Sequence, residues 1–360
     1  MLTNPQVEID DNFELENISG NSSDILDELF ENLVISDCGQ IIPRDIIQFY
    51  AVPLFSSKKR EMKPAKWTNA DGSKMLEVCP SSVGRPTCYD KDLITWTISH
   101  LRERIDGKII GQKINPNSEN APTITVDAYQ VLREINRPAE RIVKNDATWK
   151  MWNNTGDKLT RSTVKSTIEF GGKMVYQEPF MTKFGLKVSE DGSSFVFIFK
   201  LADWIWNAVR KERSETEKME IIRLDPYYYQ IPLGLERRLY EIIKKGANTG
   251  KNAKPKYEIS LAKLKLLCDS SSSDNDFRKA ITKIIERDRS EPGSKKSGKR
   301  SRVASKKFVG EFYHWTIYLN KEGNTLRADN MTRIKEAMDK PLENLDSKKV
   351  FRQLSEPIEV

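Results

Sequence analysis

Six side chains within residues 278–289, Arg278, Lys279, Thr282, Lys283, Arg287 and Arg289, donate hydrogen bonds, and five of them carry a positive charge at neutral pH. Phe277, Ala280, Ile281, Ile284 and Ile285 lie among them at helical spacing. At 100° per residue from Phe277 the apolar set gathers on one side, with Lys279, Thr282, Lys283 and Glu286 opposite and Arg278, Arg287 and Arg289 on the flanks. Such a helix buries one stripe and turns outward a face suited to a polyanion, where phosphates take the charge and base edges take the directional hydrogen bonds. The stretch EPGSKKSGKRSRVASKK at 291–307 follows, setting Lys295, Lys296, Lys299, Arg300, Arg302, Lys306 and Lys307 against Glu291 alone. A flexible basic loop in this place is expected to act as a wing that neutralises phosphates without reading sequence. The plainer alternative is a solvated helix face followed by a disordered basic loop.

The elements that must hold these residues recur in the chain. The second copy begins with PLGLERRLYEIIKKGA at 232–247, where Leu235, Leu239, Ile242 and Ile243 form a core-facing stripe, and continues with the short strand KYEIS at 256–260. Ser260 is placed to cap a helix bearing Leu261, Leu264 and Leu267. After a serine-rich turn, Ser273 and Asp276 have capping-box spacing, and EFYHWTIYL at 311–319 alternates like a strand. In the first copy DKDLITWTISHLRERI at 90–105 sets Ile94, Ile98, Leu101 and Ile105 on one face. TITVDAYQVLREINR then runs from a strand into a helix with Thr125 as the expected cap, equivalent to Ser260 at an offset of 135 (260 − 125). A turn near Asn136 and Pro138 precedes a helix near 146–160. On it Trp149, Trp152, Gly156 and Leu159 are expected inward and Lys150, Asn154 and Lys158 outward, with Arg161 and Lys165 extending the basic edge. Strands near 162–170 and 194–200 follow; LADWIWNAV at 201–209 reads as a helix opening the second domain, and MEIIRL at 219–224 as a joining strand. Helix, turn, helix and then a two-stranded hairpin is the winged helix-turn-helix plan, which the chain is expected to hold twice, with the second helix of the turn entering the major groove.

The expected fold class is therefore α+β, with two tandem winged helix-turn-helix domains at 49–200 and 201–320. Residues 1–48 form a mostly disordered acidic tail, and 321–360 a helical or flexible extension. Residues 1–43 hold ten acidic side chains and no Lys or Arg, so the net charge of +7 leaves the remainder at +17 (7 + 10). Within the tail, Leu26, Leu29, Phe30 and Leu33 lie on one helical stripe, and two readings stand: a helix docked on the body, or a segment that recognises a partner. The first domain likewise has two, contact with a second DNA segment or self-association.

Other chemistries find little footing. Two histidines, His100 and His314, fall on amphipathic elements and do not make the paired-histidine metal site of a nicking enzyme. GANTGKN at 246–252 has three residues between its glycines where a phosphate loop needs four, and Asn252 where Ser or Thr must bind magnesium. Cys38, Cys79, Cys88 and Cys268 have no zinc spacing and suit a reducing cytoplasm. No stretch is long enough to span a membrane, and the acidic start is the reverse of a signal peptide. A non-enzymatic protein without metal or cofactor is expected.

The strings VPLFSSKKR at 52–60, GRPTCYDKDLITWTISHL at 84–101, ITVDAYQVLREINR at 124–137, LADWIWNAV at 201–209, DPYYYQIPLGLERRLYEIIKK at 225–245 and FRKAITKII at 277–285 occur in an order that resembles the plasmid replication initiator protein A family, from about Phe49 to about Leu319. LERRLYE is the most specific of them. The resemblance implies two winged-helix domains that bind repeated double-stranded origin sites, open the adjacent AT-rich duplex and help load the host helicase. Host initiator, helicase or clamp are the protein partners to consider, with a homodimer formed through the N-terminal domain. In the first domain Asn145, Asp146, Ala147 and Trp149 stand where the family often has glycines before an aromatic-led helix. Rival readings are a repressor using the same helices, a plasmid-maintenance adaptor acting through residues 25–35, and a nicking enzyme.

Overall fold

A computed structural model of the chain describes residues 43–50, 53–58, 60–68, 72–107, 114–137, 146–170, 173–188, 195–210, 221–224, 228–231, 233–247, 256–289 and 315–329. The amphipathic stretch 25–35, the basic stretch 291–307 and His314 lie outside them. In chain order the elements are β1 (Arg44–Ile46), β2 (Ala65–Thr68), β3 (Met75–Cys79), α1 (Lys91–Ile105), β4 (Ile124–Asp127), α2 (Ala128–Glu134), α3 (Asp146–Arg161), β5 (Thr163–Phe170), β6 (Lys173–Glu178), β7 (Met181–Val188), β8 (Phe195–Leu201), α4 (Asp203–Arg210), β9 (Ile221–Arg223), α5 (Gly234–Gly246), β10 (Lys256–Ser260), α6 (Leu261–Leu267), α7 (Asp274–Arg289), β11 (Thr316–Leu319) and β12 (Thr325–Asp329). Short 3-10 turns lie at Ile47–Tyr50 and Tyr228–Gln230. All strand pairs between these elements are antiparallel.

The order helix, strand, helix, helix, two strands occurs twice, as α1-β4-α2-α3-β7-β8 with β5 and β6 inserted after α3, and as α5-β10-α6-α7-β11-β12; in both the last strand lies in the middle of a three-stranded sheet, β4-β8-β7 and β10-β12-β11. The duplication is more regular than its sequence suggests. The cap of α2 is Asp127, not Thr125: its carboxylate accepts from the Tyr129 and Gln130 amides at 2.6 and 3.1 Å, because Thr125 is still paired within β4. Ser260 does cap α6, accepting from the Lys263 amide at 3.3 Å. The offset is therefore 133 (260 − 127), and it holds at the turns, where Asn136 and Asp269 (269 − 136 = 133) both take left-handed backbone angles. Arg137 N–H bonds the Leu132 carbonyl and Ser270 N–H the Lys265 carbonyl, closing the two helices in the same way.

Two expectations for the strands change. β5 does not pair with the strand at 194–200; it joins β2, β3 and β6 in a separate sheet of order β2-β3-β5-β6, while β7, missed in the sequence, pairs with β8. In the second unit β11 pairs with β12, which carries the sheet past residue 320 to Asp329. The hairpin tip is thus 320–324, and the basic stretch 291–307 is the link from α7 to β11. Helix α4, expected to open the second domain, packs instead on α1, β5 and β6. β9 pairs with β1, register Ile46↔Ile221, and so returns to the start of the described chain.

Helix α1 departs most from its pattern. Residues 91–101, 103 and 104 are all buried, so its polar side chains are inside along with Ile94, Ile98 and Leu101. The LERRLYE segment in α5 behaves likewise: Leu239, Ile242 and Ile243 are in the core, and Glu236, Arg237, Arg238 and Glu241 are buried as well. The charges meet one another. Lys91 Nζ lies 2.5 Å from Asp45 Oδ2 and 2.6 Å from Glu241 Oε1, and 4.5 Å from the centre of the Tyr50 ring. Tyr228 O–H donates to the same Glu241 oxygen at 2.6 Å, Arg238 pairs with its other oxygen at 3.1 Å, and Arg237 pairs with Asp92. Burial opposes the charge on Lys91, yet Asp45 and Glu241 hold its pKa above the ordinary value. At Glu241 burial pushes the carboxyl up, but Lys91 and Arg238 outweigh it and hold the group below the usual range.

His100 is buried without a hydrogen-bond partner on either ring nitrogen, stacked on Trp96 with ring centroids 4.7 Å apart. Burial, with the nearby Arg104 cation, lowers its pKa from 6.5 to about 3. The folded state thus keeps His100 neutral while the unfolded chain protonates it below its ordinary value. Its contribution to stability is complete above pH 6.5 and is lost as pH falls from there towards about 3, by up to about 1.4 kcal/mol per pH unit. In His100→Phe, urea unfolding is expected to show a shallower stability loss between neutral and mildly acid pH than in wild type. Equal slopes would show that His100 does not carry this part of the acid sensitivity.

Candidate nucleic-acid interface

Helix α7 starts where a capping pair sets it. Ser273 Oγ accepts from the Asp276 amide at 3.1 Å and donates to the Asp276 carboxylate at 2.7 Å. Phe277, Ile281, Ile284 and Ile285 are buried, while Arg278, Lys279, Lys283 and Glu286 are exposed and Thr282 is half-buried. Arg287 and Arg289 belong to the same helix, but their side chains lie outside the described residues, as do Lys295, Lys296, Lys299, Arg300 and Arg302. The outward face is therefore cationic and able to donate hydrogen bonds, on a helix whose other side is locked into the core.

The hairpin tip between β11 and β12 stands beside this face. Asn320 Oδ1 accepts from the Asn324 and Thr325 amides at 2.9 and 3.0 Å, Gly323 takes the left-handed backbone angle the turn needs (φ +67°), and it lies against the Arg278 side chain. Lys321 at the tip is exposed. Sequence reasoning missed it, although NKEGN between the alternating runs TIYL and TLRAD is a hairpin signal.

The first unit offers a thinner version. In α3, Lys150 is exposed, Asn154 half-buried, and Arg161 exposed and paired with Asp157 at 3.3 Å. Lys158 does not face outward: its Nζ pairs at 3.2 Å with Asp90, whose other oxygen accepts from Thr155 Oγ1 at 2.8 Å. Lys165 is half-buried on β5, in register with Glu77 of β3. Trp149 was expected inside but is 40% exposed, and Met151 is exposed too; α3 is seated through Trp152, Thr155, Gly156 and Leu159. A Cβ on Gly156 would come within 2.5 Å of the Phe184 ring, so glycine is there to let α3 approach β7. Helix α3 is seated from Trp152 onward, and Trp149, Lys150, Met151 and Asn153 are exposed.

The turn between α6 and α7 is braced from the first unit. Arg85, buried and just before α1, is ion-paired with Asp269, and Lys58 bonds the Ser271 hydroxyl. Arg238 of α5 donates to the Leu267 carbonyl at 2.9 Å. These residues come from GRPTCYD, VPLFSSKKR and LERRLYE, three of the strings that carry the family resemblance. A family model described as replication initiator protein A matches residues 44–292, which cover all of these braces and α7. The chain belongs to this family. As a replication initiator family member it is expected to act on DNA at an origin, the setting that a cationic helix face of this kind suits. Two solved structures of RctB domains 2 and 3 are similar in fold at 9% sequence identity. The first, of selenomethionine derivatives, has a TM-score of 0.43 and covers 79% of this chain and 96% of that one. The second has a TM-score of 0.44 and covers 81% and 99%. No curated protein matches this initiator in sequence. Among the described residues no helix is long and apolar enough to cross a membrane.

Proposed function

We propose that this initiator binds repeated double-stranded sites in a plasmid origin sequence-specifically through two winged helix-turn-helix domains, and then promotes opening of the adjoining duplex and loading of the host helicase. The observation that carries the reading is α7, a capped helix after a braced turn, with its apolar side buried and Arg278, Lys279 and Lys283 in solvent. The repeated element order and sheet order of the two units support the winged-helix assignment. On that plan the wing of the second domain is 320–324, and the basic link 291–307 adds phosphate contacts. The first domain then runs from residue 49 through α4, and the second from α5 through β12. The tail stripe of Leu26, Leu29, Phe30 and Leu33 is the recruiting segment for host initiator, helicase or clamp, and the first domain is where a homodimer would form. The protein does no chemistry of its own in this reading; nicking of supercoiled origin DNA by the pure protein would overturn that part.

A minimal plasmid holding this gene and its flanking repeats tests the function directly, since loss of the gene should abolish replication; replication that persists would sink the initiator reading. Neutralising Lys295, Lys296, Lys299, Arg300 and Arg302 should weaken binding to all duplexes alike. The salt dependence should flatten by about 0.9 in log–log slope for each phosphate that is no longer neutralised, as read by fluorescence anisotropy over a salt series. An unchanged slope would remove this segment from the interface.

A further inference from the structure

Side chains at the start of α1 bond side chains of α5, and these polar contacts between the two repeated units are buried. From α3, Thr155 and Lys158 bond the Asp90 carboxylate at 2.8 and 3.2 Å, and Asp90 stands immediately before α1. Lys91 reaches Glu241 of α5 at 2.6 Å, and Asp92 takes the Arg237 guanidinium. Beside Arg237, Arg238 grips the Leu267 carbonyl at the end of α6, where the turn into α7 begins. The series thus runs without interruption from α3 to the foot of α7. Every polar side chain in it is buried except Lys158, whose side chain is 12% exposed.

We infer that this series makes α1 and α5 a rigid splint that sets the distance and orientation between α3 and α7, so that the protein selects DNA by the spacing of two half-sites as well as by their bases. The inference rests on the proposed reading of both units as DNA-binding domains; Asp90, Lys91, Asp92, Arg237, Arg238 and Glu241 are positioning residues. Purely apolar contact between helices tolerates small slides, because dispersion and area burial change little with direction. Buried charge-assisted hydrogen bonds do not, since a misaligned guanidinium or ammonium leaves a carboxylate unpaired in a medium that penalises it strongly. On B-DNA an insertion of about 5 bp turns one half-site to the opposite side of the duplex. A splinted protein cannot follow that rotation, whereas a hinged one can.

The test uses the full chain and DNA selected by it from a random duplex pool, then re-synthesised with zero to ten base pairs inserted between the two protected halves. Wild type should lose about 100-fold in affinity at a half-turn insertion, because the second domain can no longer engage its half, and recover part of it at a full turn. Asp92→Asn with Arg237→Gln keeps charge balance while replacing the ion pair by neutral groups. It should bind either half alone as wild type does and lose only about fivefold at a half-turn. Should that variant not fold by circular dichroism, Asp45→Asn with Lys91→Met and Glu241→Gln loosens the neighbouring link in its place. A folded variant that keeps the wild-type spacing penalty overturns the splint. A wild-type footprint confined to one half-site overturns the two-domain reading and the splint with it, and so separates the two failures.

Discussion

On the proposed reading, replacing Lys279 and Lys283 together by alanine is expected to abolish any preference for origin repeats over random duplex DNA. Both side chains are exposed on the outward side of α7, separated by one helical turn, with Ile281 between them at the bottom of the helix in the core. Their truncation touches nothing buried, so the fold and thermal stability should stay as they are. What goes is a pair of donors aimed where bases and phosphates would lie, and affinity for the selected repeats should fall by about 100-fold or more. Binding to unrelated duplex should fall much less, because the basic link 291–307 and Lys321 are untouched. Equilibrium binding to repeat and scrambled duplexes at one fixed salt concentration checks this. A double variant that retains wild-type preference would move the reading surface away from α7.

The largest effect on stability is expected from Lys91→Met. Its ammonium sits between Asp45 and Glu241 at 2.5 and 2.6 Å, with none of the three residues more than 1% exposed. Removing it leaves the Asp45 carboxylate without a cation and Glu241 with Arg238 alone, and the cost of one broken buried pair is about 3–5 kcal/mol. Against a typical net stability of about 5–15 kcal/mol, such a loss brings the chain near unfolding at physiological temperature. The diagnostic is non-additivity. Adding Asp45→Asn to Lys91→Met should restore much of the loss, because a neutral amide at this position needs no counter-ion and Glu241 keeps Arg238, whereas simple loss of packing volume would leave the double variant no better than the single one. Urea denaturation of wild type, single and double variants decides between these outcomes.

Periodicity worked where one face of an element is wet. Helix α7 was legible because Phe277, Ile281, Ile284 and Ile285 repeat at helical spacing among residues that are mostly polar, which is the arrangement at a protein–solvent boundary. The Ser260 and Ser273 caps were legible because capping is decided within four residues of sequence. The same logic misplaced Trp149, an aromatic residue left in solvent, and Lys158, whose outward angle on the helix wheel says nothing of Asp90 arriving from another element. It also paired β5 with the wrong partner. Strand alternation reports which side of a strand is buried but carries no information on which strand lies next to it.

Charge alone, read along the chain, separated an acidic first segment from a basic body and marked residues 278–302 as the place for a polyanion; composition and local spacing determine such properties without reference to the fold. The family strings likewise point to an initiator. Tertiary structure decided why those strings take the form they do. In sequence, LERRLYE and GRPTCYDKDL set charged residues beside apolar ones, yet Arg237, Arg238, Glu241, Lys91 and Asp92 are inside, each satisfied by a partner from another stretch of the chain. A buried ion pair between residues 150 positions apart, as Lys91 and Glu241 are, leaves no periodic trace. Its stability depends on the exclusion of water by surrounding elements, and only the assembled fold supplies that.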